Sequence, residues 1–416
     1  MSDLVDPTTI RAAFARAMSA MYRAEVPRYG ELIEIVEQIN DATPLADPAE
    51  RQRIAGERHG AIRVGTAQEL GQLARAFAVM GMAPVGYYDL SAAGVPVHST
   101  AFRPIEAEAL AANPFRMFTS LLRLELIADE GQRRQAETLL AGRRILSDRA
   151  LELTWLAEVD GGLGPQDAEA FVAEILDCFR WHAQARVDRP TYDALSAAHR
   201  LIADVVCFKG PHINHLTPRT LDIDAAQAAM QARGLDAKAV IEGPPRRAVP
   251  ILLRQTSFKA LEEPIRFLGE AGAGTHTARF GEIEQRGLAL TPKGRALYDD
   301  CLTRADFADF PDDMDRLRRE GLGYFRYVST GNGSADGDLG SMIAQGRVRA
   351  EPLVYEDFLP VSAAGIFQSN LGDEALTVAA AQGSQAAFEA ALGMAVLDAF
   401  ALYAAEEAAS IQALTR

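Results

Sequence analysis

"HGAIRVGTAQELGQLARAFAVMG", residues 59–81, is the stretch that decides the fold. Its first residues, rich in β-branched side chains and glycine, predict a strand, and the helical period that follows predicts a helix. The stretches "PVGYYDLSA" (84–92) and "VPVHSTAFRP" (95–104) predict two further strands. The order is therefore β-α-β-β, which indicates a mixed α+β module.

The same element order returns in the second half of the chain. His59 is followed four residues later by Arg63, and His215 is followed four residues later by Arg219. Together with the repeated order, these pairs predict two related modules that form one mixed sheet. The second module is predicted from a strand, a helix and two further strands, at 212–219, 222–234, 248–261 and 275–287.

Helical sequence surrounds the two modules. We expect an α+β protein in which a mixed sheet encloses a site, with a large helical insertion and helical termini. The predicted parts are an N-terminal helical segment, a first module, a helical insertion, a second module and a C-terminal region of strands and helices, at 1–54, 55–104, 105–200, 201–290 and 291–416.

The charge balance limits the class of partner. Asp and Glu outnumber Lys and Arg by 57 to 42, which gives a formal net charge of -15. Because no run of basic residues forms a patch, nucleic acid is not expected as a partner. A small anionic substrate would need a local arginine.

The cellular compartment is predicted from cysteine usage and hydropathy. Cys178, Cys207 and Cys301 are odd in number and widely spaced, so they predict neither a disulfide framework nor a CxxC metal site. The chain shows no signal-peptide pattern, and no apolar run approaches the roughly 18 residues that span a bilayer. We therefore expect a cytoplasmic protein without a membrane partner.

Histidines and carboxylates at even spacing form the candidate site. Residues two apart in a strand share a face, which groups Glu282 with Glu284 and sets His212 opposite His215. With His59, such residues could form a two-histidine, one-carboxylate site for a non-haem metal ion. The alternative is that these histidines are hydrogen-bonded core residues.

Two arginines follow the candidate histidines. Arg63 lies on the same strand face as His59, about 13 Å further along at ~3.3 Å per residue, and Arg219 bears the same relation to His215. A guanidinium so placed can fold back over a substrate and bind its carboxylate through two hydrogen bonds. Simple solvation of the surface is the alternative role.

Five long motifs carry a family resemblance: "ERHGAIRVGT" (57–66), "GPHINHLTPR" (210–219), "THTARFGEIEQRG" (275–287), "LTPKGRALYD" (290–299) and "DFLPVSAAGIFQSNL" (357–371). Over nearly the whole chain, the sequence resembles the 2-oxoadipate dioxygenase/decarboxylase family. The resemblance implies a fold like that of the vicinal-oxygen-chelate superfamily. It also implies a mononuclear Fe(II) ion held by two histidines and one glutamate.

The resemblance assigns the metal ligands residue by residue. His59 matches the first histidine of the family, and "INHLT" resembles the strand of related 4-hydroxyphenylpyruvate dioxygenases that would make His215 the second. "GEIEQR" resembles the ligand strand of the same enzymes and selects Glu282, although Glu284 shares its face. These three residues would be catalytic through the metal.

The implied reaction converts 2-oxoadipate and O2 to (R)-2-hydroxyglutarate and CO2 in lysine catabolism. The implied substrate-binding residues are His59, Arg63, His215, Val361 and Ser362. A metal-dependent dioxygenase of another 2-oxo acid, and a metal-free binding protein of the same fold, are the alternatives. The oligomeric state is left open.

Overall fold

The structure, a computed structural model, describes residues 4–45, 48–270, 272–331, 337–359 and 385–414. No described helix combines the length and the apolar character needed to cross a bilayer. The α-helices of the described residues, numbered along the chain, are α1 (Pro7–Glu25), α2 (Tyr29–Ala42), α3 (Pro48–Gly56), α4 (Ala67–Val79), α5 (Ala107–Ala112), α6 (Glu130–Ala141), α7 (Asp148–Asp160), α8 (Pro165–Cys178), α9 (Arg189–Ala198), α10 (Arg200–Val206), α11 (Ile223–Ala232), α12 (Pro292–Arg304), α13 (Met314–Arg319), α14 (Leu339–Ala344), α15 (Gln385–Leu392) and α16 (Ala399–Ala413).

The strands of the described residues are β1 (Arg58–Val64), β2 (Ala83–Asp89), β3 (Val97–Arg103), β4 (Arg116–Leu122), β5 (His215–Pro218), β6 (Leu253–Ser257), β7 (Glu262–Arg266), β8 (Ala273–Thr277), β9 (Phe280–Arg286), β10 (Phe325–Ser329) and β11 (Val348–Pro352). Seven of these strands form the principal sheet, in the order β2-β3-β4-β1-β5-β9-β6. β1 pairs parallel to β4 and antiparallel to β5, which in turn pairs parallel to β9. The three strands that carry the candidate metal ligands are therefore neighbours.

The segment at 105–200 is not wholly helical, contrary to our prediction. β4 lies within it and pairs with both β1 and β3, so the first module has the order β-α-β-β-β. All seven residues of β4 are buried, because the strand is central in the sheet. A strand buried on both faces lacks the polar-apolar alternation that identifies half-buried strands. The five-part division of the chain otherwise stays a prediction.

The segment at 275–287, predicted as one strand, contains the end of β8 and the whole of β9. β8 ends at Thr277 and pairs with β7 in a separate two-stranded sheet, whereas β9 begins at Phe280 and joins the principal sheet. Two residues, Ala278 and Arg279, separate the strands. The second module therefore carries a hairpin between β6 and β9.

Helix α1 positions the first residues of β5 and β9, two strands that carry candidate ligands. Asp6 caps its first turn by accepting a hydrogen bond from the Thr8 amide at 2.8 Å. Near its other end, the buried Tyr22 hydroxyl donates to the carbonyl oxygens of Asn214 at 2.9 Å and Phe280 at 2.7 Å. Those residues immediately precede or begin β5 and β9, so the helix aligns both strands.

The chain divides into two compact units, each with its own packing. The first contains the candidate site and a core of aromatic and aliphatic side chains, in which Phe14 meets Phe115 and Phe179 edge to face. In the second, β10 pairs antiparallel with β11. There the Phe325 amide donates to Glu407 of α16 at 2.8 Å. The units cover Met1–Ile241, Gln255–Glu284 and Pro360–Val396 for the first, and Glu242–Arg254, Gln285–Leu359 and Leu397–Arg416 for the second.

Candidate metal centre

The structure brings His59, His215 and Glu282 together. One possible ligand atom from each lies within 4.8 Å of those of the other two, and all three side chains are buried. The Oε1 atom of Glu282 is 3.1 Å from His59 Nε2 and 3.6 Å from His215 Nε2. The two imidazole rings are nearly perpendicular, with centroids 5.3 Å apart. This grouping follows from the adjacency of β1, β5 and β9.

Glu284 lies on the other side of His59. Its Oε2 atom is 2.9 Å from the Nδ1 atom of that imidazole, whereas Glu282 faces Nε2. Only Glu282 therefore approaches both histidines. A carboxylate on the far nitrogen of a metal-binding histidine typically orients the ring and increases its basicity. The geometry favours Glu282 as the ligand and gives Glu284 a supporting place.

Several polar atoms at this centre lack hydrogen-bonding partners among the described residues. They are both ring nitrogens of His215 and the Oε2 atom of Glu282, all fully buried. Buried polar groups are normally hydrogen-bonded, because an unpaired one has a large desolvation cost. A metal ion would pair with one ring nitrogen of His215 and with Oε2 of Glu282, and a set of two imidazoles and one carboxylate suits Fe(II), Mn(II) or Co(II).

One oxygen atom of the Glu282 carboxylate is held by side chains from the two neighbouring strands. Its Oε1 atom accepts hydrogen bonds from the Thr217 hydroxyl at 2.9 Å and from the Gln255 amide at 2.8 Å. These two side chains come from β5 and β6, on either side of β9. They fix the carboxylate so that Oε2 is left for another partner.

The electrostatics of the centre suit metal binding. Burial lowers the pKa of His215 to about 4, although Glu282 opposes the shift. Burial alone would raise the pKa of Glu282, but the neighbouring imidazoles of His215 and His59 and the hydrogen bond from Thr217 lower it below its ordinary value. The pKa of His59 is raised, because Glu284 and Glu282 outweigh the effect of burial. A neutral His215 and an ionised Glu282 are the protonation states that a metal requires.

Arg63 is paired with a carboxylate. Its Nη1 atom lies 2.8 Å from Oδ2 of Asp204, and both side chains are almost buried. The other oxygen of Asp204 is 3.1 Å from His212 Nε2 and 2.9 Å from His276 Nε2. His212 therefore belongs to a second cluster and not to the metal centre.

The other predicted substrate residues have different outcomes. Arg219 does not accompany His215: its guanidinium lies 3.0 Å from Glu57, which also binds Arg116 at 2.8 Å. This buried network joins the starts of β1 and β4 to the end of β5. Val361 and Ser362 lie outside the described residues.

Sequence reasoning missed three residues of the site. Thr217 stands two residues after His215 and thus shares its face, so strand alternation alone would have identified it. Gln255 and Asp204 approach from β6 and α10, whose local patterns show no sign of the site. Their places depend on tertiary packing.

The comparisons with known proteins agree over most of the chain. The sequence profile of the 2-oxoadipate dioxygenase/decarboxylase family matches residues 14–370. A Pseudomonas putida 2-oxoadipate dioxygenase/decarboxylase is 55% identical over 451 aligned positions, covering 99% of this chain and 97% of the relative. The crystal structure of hydroxyglutarate synthase in complex with 2-oxoadipate, also from Pseudomonas putida, has a TM-score of 0.92 and 54% identity, covering 100% of this chain and 99% of that one.

A more distant structure shares the fold alone. A putative glyoxalase superfamily protein from Ralstonia eutropha JMP134 has a TM-score of 0.53 and 20% identity, covering 69% of this chain and 87% of that chain. Together with the close structural match, this likeness confirms the predicted α+β class with vicinal-oxygen-chelate-like modules in a mixed sheet.

Proposed function

This chain belongs to the 2-oxoadipate dioxygenase/decarboxylase family, and on that premise we propose that it converts 2-oxoadipate and O2 to (R)-2-hydroxyglutarate and CO2. The observation that carries the proposal is the buried cluster of two histidines and a glutamate in a chain so similar to its relatives. The keto carbon of the substrate becomes the new carboxylate, and the adjacent carbon gains the hydroxyl. The two oxygen atoms of O2 enter those two groups.

We assign His59, His215 and Glu282 as the ligands of an Fe(II) ion. Bound Fe(II) would supply open coordination positions at which a 2-oxo acid can chelate and O2 can be activated. The unpaired nitrogens of His215 and the unpaired Oε2 atom of Glu282 support this assignment among the described residues. The substrate would also touch the two imidazoles.

The residues around the ligands keep this set in place. Glu284 holds the Nδ1 side of His59, which leaves Nε2 directed toward Glu282. Thr217 and Gln255 hold one oxygen of Glu282. Such supporting hydrogen bonds fix the orientation of each ligand before the metal binds, which favours a single coordination geometry.

Arg63 is the residue that we assign to a substrate carboxylate. It lies on the same face of β1 as His59, and its positive charge contributes to lowering the pKa of His215. A guanidinium binds a carboxylate with both charge and geometry, so it would orient the 2-oxo acid relative to the metal. The family resemblance adds Val361 and Ser362 to the substrate pocket, and this assignment stays a prediction.

We further propose that the reaction takes place in the cytoplasm in lysine catabolism. Cys178, Cys207 and Cys301 are free and buried, which accords with a reducing compartment. The proposed partners are a small 2-oxo dicarboxylic acid and O2.

The decisive experiment is anaerobic reconstitution with Fe(II), followed by O2 uptake with 2-oxoadipate and chiral analysis of the product. We expect one CO2 and one (R)-2-hydroxyglutarate per O2, with two labelled oxygen atoms in the product when labelled O2 is used. His215→Ala should lose both iron and activity. His98→Gln, which alters a buried histidine on another strand, should retain both. Iron-loaded protein without O2 uptake would refute the proposed substrate.

A further inference from the structure

A second group of buried polar side chains, Asp204, His212 and His276, lies beside Arg63. They come from α10, from the segment before β5, and from β8. The Oδ1 atom of Asp204 is 3.1 Å from His212 Nε2 and 2.9 Å from His276 Nε2, while Oδ2 is 2.8 Å from Nη1 of Arg63. One carboxylate is therefore shared by two imidazoles and a guanidinium.

This cluster has the residue types of a metal site, but its hydrogen bonds differ from those at the metal centre. Asp204 accepts hydrogen bonds from His212 and His276, and the Tyr192 hydroxyl lies 2.8 Å from the other ring nitrogen of His276. At the metal centre, both ring nitrogens of His215 lack such partners among the described residues. The three donors use most of the acceptor capacity of Asp204, and the adjacent Arg63 charge would repel a metal cation.

We propose that Asp204 is the positioning residue of Arg63, and that the pair selects 2-oxo acids with a second carboxylate remote from the metal. This inference rests on the proposed function, in which Arg63 binds a carboxylate of the substrate. Asp204, which His212 and His276 hold through its other oxygen, contacts one nitrogen of the guanidinium, so that the orientation of Arg63 is set before the substrate enters.

The packing around the cluster supports a fixed geometry. The Trp181 ring lies parallel to His276 with centroids 6.0 Å apart and meets His212 edge to face at 4.8 Å. Phe208 packs against His276 with a centroid distance of 4.7 Å. Arginine has a long, flexible side chain, and holding it in the binding orientation reduces the entropy lost on binding.

The charge of Asp204 is also well defined. Burial alone would raise its pKa, but the charges of His212 and Arg63 and the hydrogen bonds from both imidazoles hold that pKa well below its ordinary value. Asp204 is therefore an anion at neutral pH. Because Asp204 balances the charge of Arg63, the guanidinium can remain largely buried on the strand that carries His59 without a bound substrate.

The test is Asp204→Asn, which removes the charge and nearly preserves the size. We expect the anaerobic affinity of the iron-loaded variant for 2-oxoadipate to fall by roughly tenfold to a hundredfold, as for loss of a charged hydrogen bond. Bound iron should be unchanged, and KM should change more than kcat. The preference for 2-oxoadipate over 2-oxohexanoate, which lacks the second carboxylate, should contract by a similar factor.

A matched control separates positioning from stability. Glu69→Gln breaks another buried carboxylate-arginine pair, in which Glu69 Oε1 lies 2.7 Å from Nε of Arg143. This variant should lower the melting temperature as Asp204→Asn does, but it should leave the substrate preference unchanged. If both variants changed the preference equally, a merely structural role would explain the result and overturn the inference.

Two further variants of the cluster test the inference if Asp204→Asn fails to fold. If Asp204→Asn does not fold, Tyr192→Phe and His276→Gln should show smaller losses of 2-oxoadipate affinity in the same direction. An unchanged affinity in those variants overturns the inference, and so does a second metal ion per chain that His276→Gln removes. Wild-type protein that binds 2-oxoadipate but does not turn it over would count against the proposed function instead, since the anaerobic affinities test Asp204 independently.

Discussion

The Oε2 atom of Glu284 lies 2.9 Å from Nδ1 of His59. On the opposite nitrogen of the same ring, Glu282 lies 3.1 Å away. Two carboxylates from one face of β9 therefore hold one imidazole from both sides. The outer carboxylate therefore fixes the ring so that Nε2 is directed toward the proposed metal site.

Exchange of each carboxylate for an amide should therefore have different effects. Glu282→Gln removes a ligand and should abolish tight binding of Fe(II) or of Co(II) as its substitute. Glu284→Gln keeps all three ligands and should weaken the metal affinity by about tenfold to a hundredfold. Competitive metal titration under anaerobic conditions measures both affinities. The reverse ranking would make Glu284 the ligand.

Substitution of Arg63 should affect the substrate more than the metal. In Arg63→Ala we expect a KM for 2-oxoadipate raised by roughly a hundredfold, with iron content unchanged, because a charged contact to the substrate is lost. Arg63→Lys should recover little of it, since an ammonium group cannot reproduce the planar fork. Steady-state kinetics with parallel metal analysis tests this. Loss of iron in Arg63→Ala would contradict the division of roles.

Gly281 is where we expect backbone packing to affect the metal centre. A Cβ atom there would lie 2.2 Å from Cε1 of the Phe258 ring and 2.9 Å from Leu32 Cδ1. Gly281→Ala should cost about 1–3 kcal/mol of unfolding free energy and displace the adjacent Glu282, which lowers the metal affinity. At Gly272 a Cβ would meet nothing within 4 Å, so Gly272→Ala is the control. Chemical denaturation and metal titration measure the two effects, and Gly272→Ala should have nearly the unfolding free energy and metal affinity of the wild type.

Acidification should destabilise the metal-free protein. Burial lowers the pKa values of His98 and His199 to about 4. In the unfolded chain a histidine takes up a proton near pH 6.5, whereas in the folded protein these two remain neutral down to about pH 4. The free energy of unfolding is therefore unaffected above pH 6.5 and decreases as the pH falls from 6.5 toward 4. Each residue should account for a loss on the order of 2 kcal/mol at pH 4.5. Melting temperatures measured from pH 7 to 4.5 should fall less steeply in His98→Gln, and an equal slope would contradict this account.

Metal binding should release a proton from His59. Because Glu284 and Glu282 raise its pKa above the ordinary value, the imidazole holds a proton more strongly without metal, and a metal ligand must be neutral. The affinity should therefore decrease as the pH falls through this raised value. In Glu284→Gln the decrease should move to lower pH, because one of the carboxylates that raise the pKa is gone. Co(II) titrations in buffers of different ionisation enthalpy would count the released protons.

The candidate site could be predicted from sequence where it depends on strand geometry. Strand alternation places His59 and Arg63 on one face of β1. The grouping of two histidines with a carboxylate, which the sequence pattern suggested, is present in the structure as His59, His215 and Glu282. Alternation could not choose between Glu282 and Glu284, because the two share a face. The choice came from the register of β9 beside β1 and β5, a property of the assembled sheet.

The partner of Arg63 could not be predicted in this way. Asp204 lies 141 residues further along the chain, in a short helix whose side chains show no local sign of a distant partner. The spacing of Arg219 suggested a role that the structure does not give it. Arg219 follows a histidine at the same distance as Arg63 does, but it pairs with Glu57. Equal spacing in two repeated modules therefore does not imply equal roles, because each module meets different neighbours.

The antiparallel pairing of β1 with β5 has an evolutionary consequence. One module supplies a single histidine, and the other supplies a histidine and a carboxylate, so neither module holds a complete ligand set by itself. If the two modules descend from one ancestral module, that ancestor would have completed such a centre by pairing two identical copies. Fusion of two copies into one gene would have released them from that symmetry, so that each half could acquire ligands and insertions of its own.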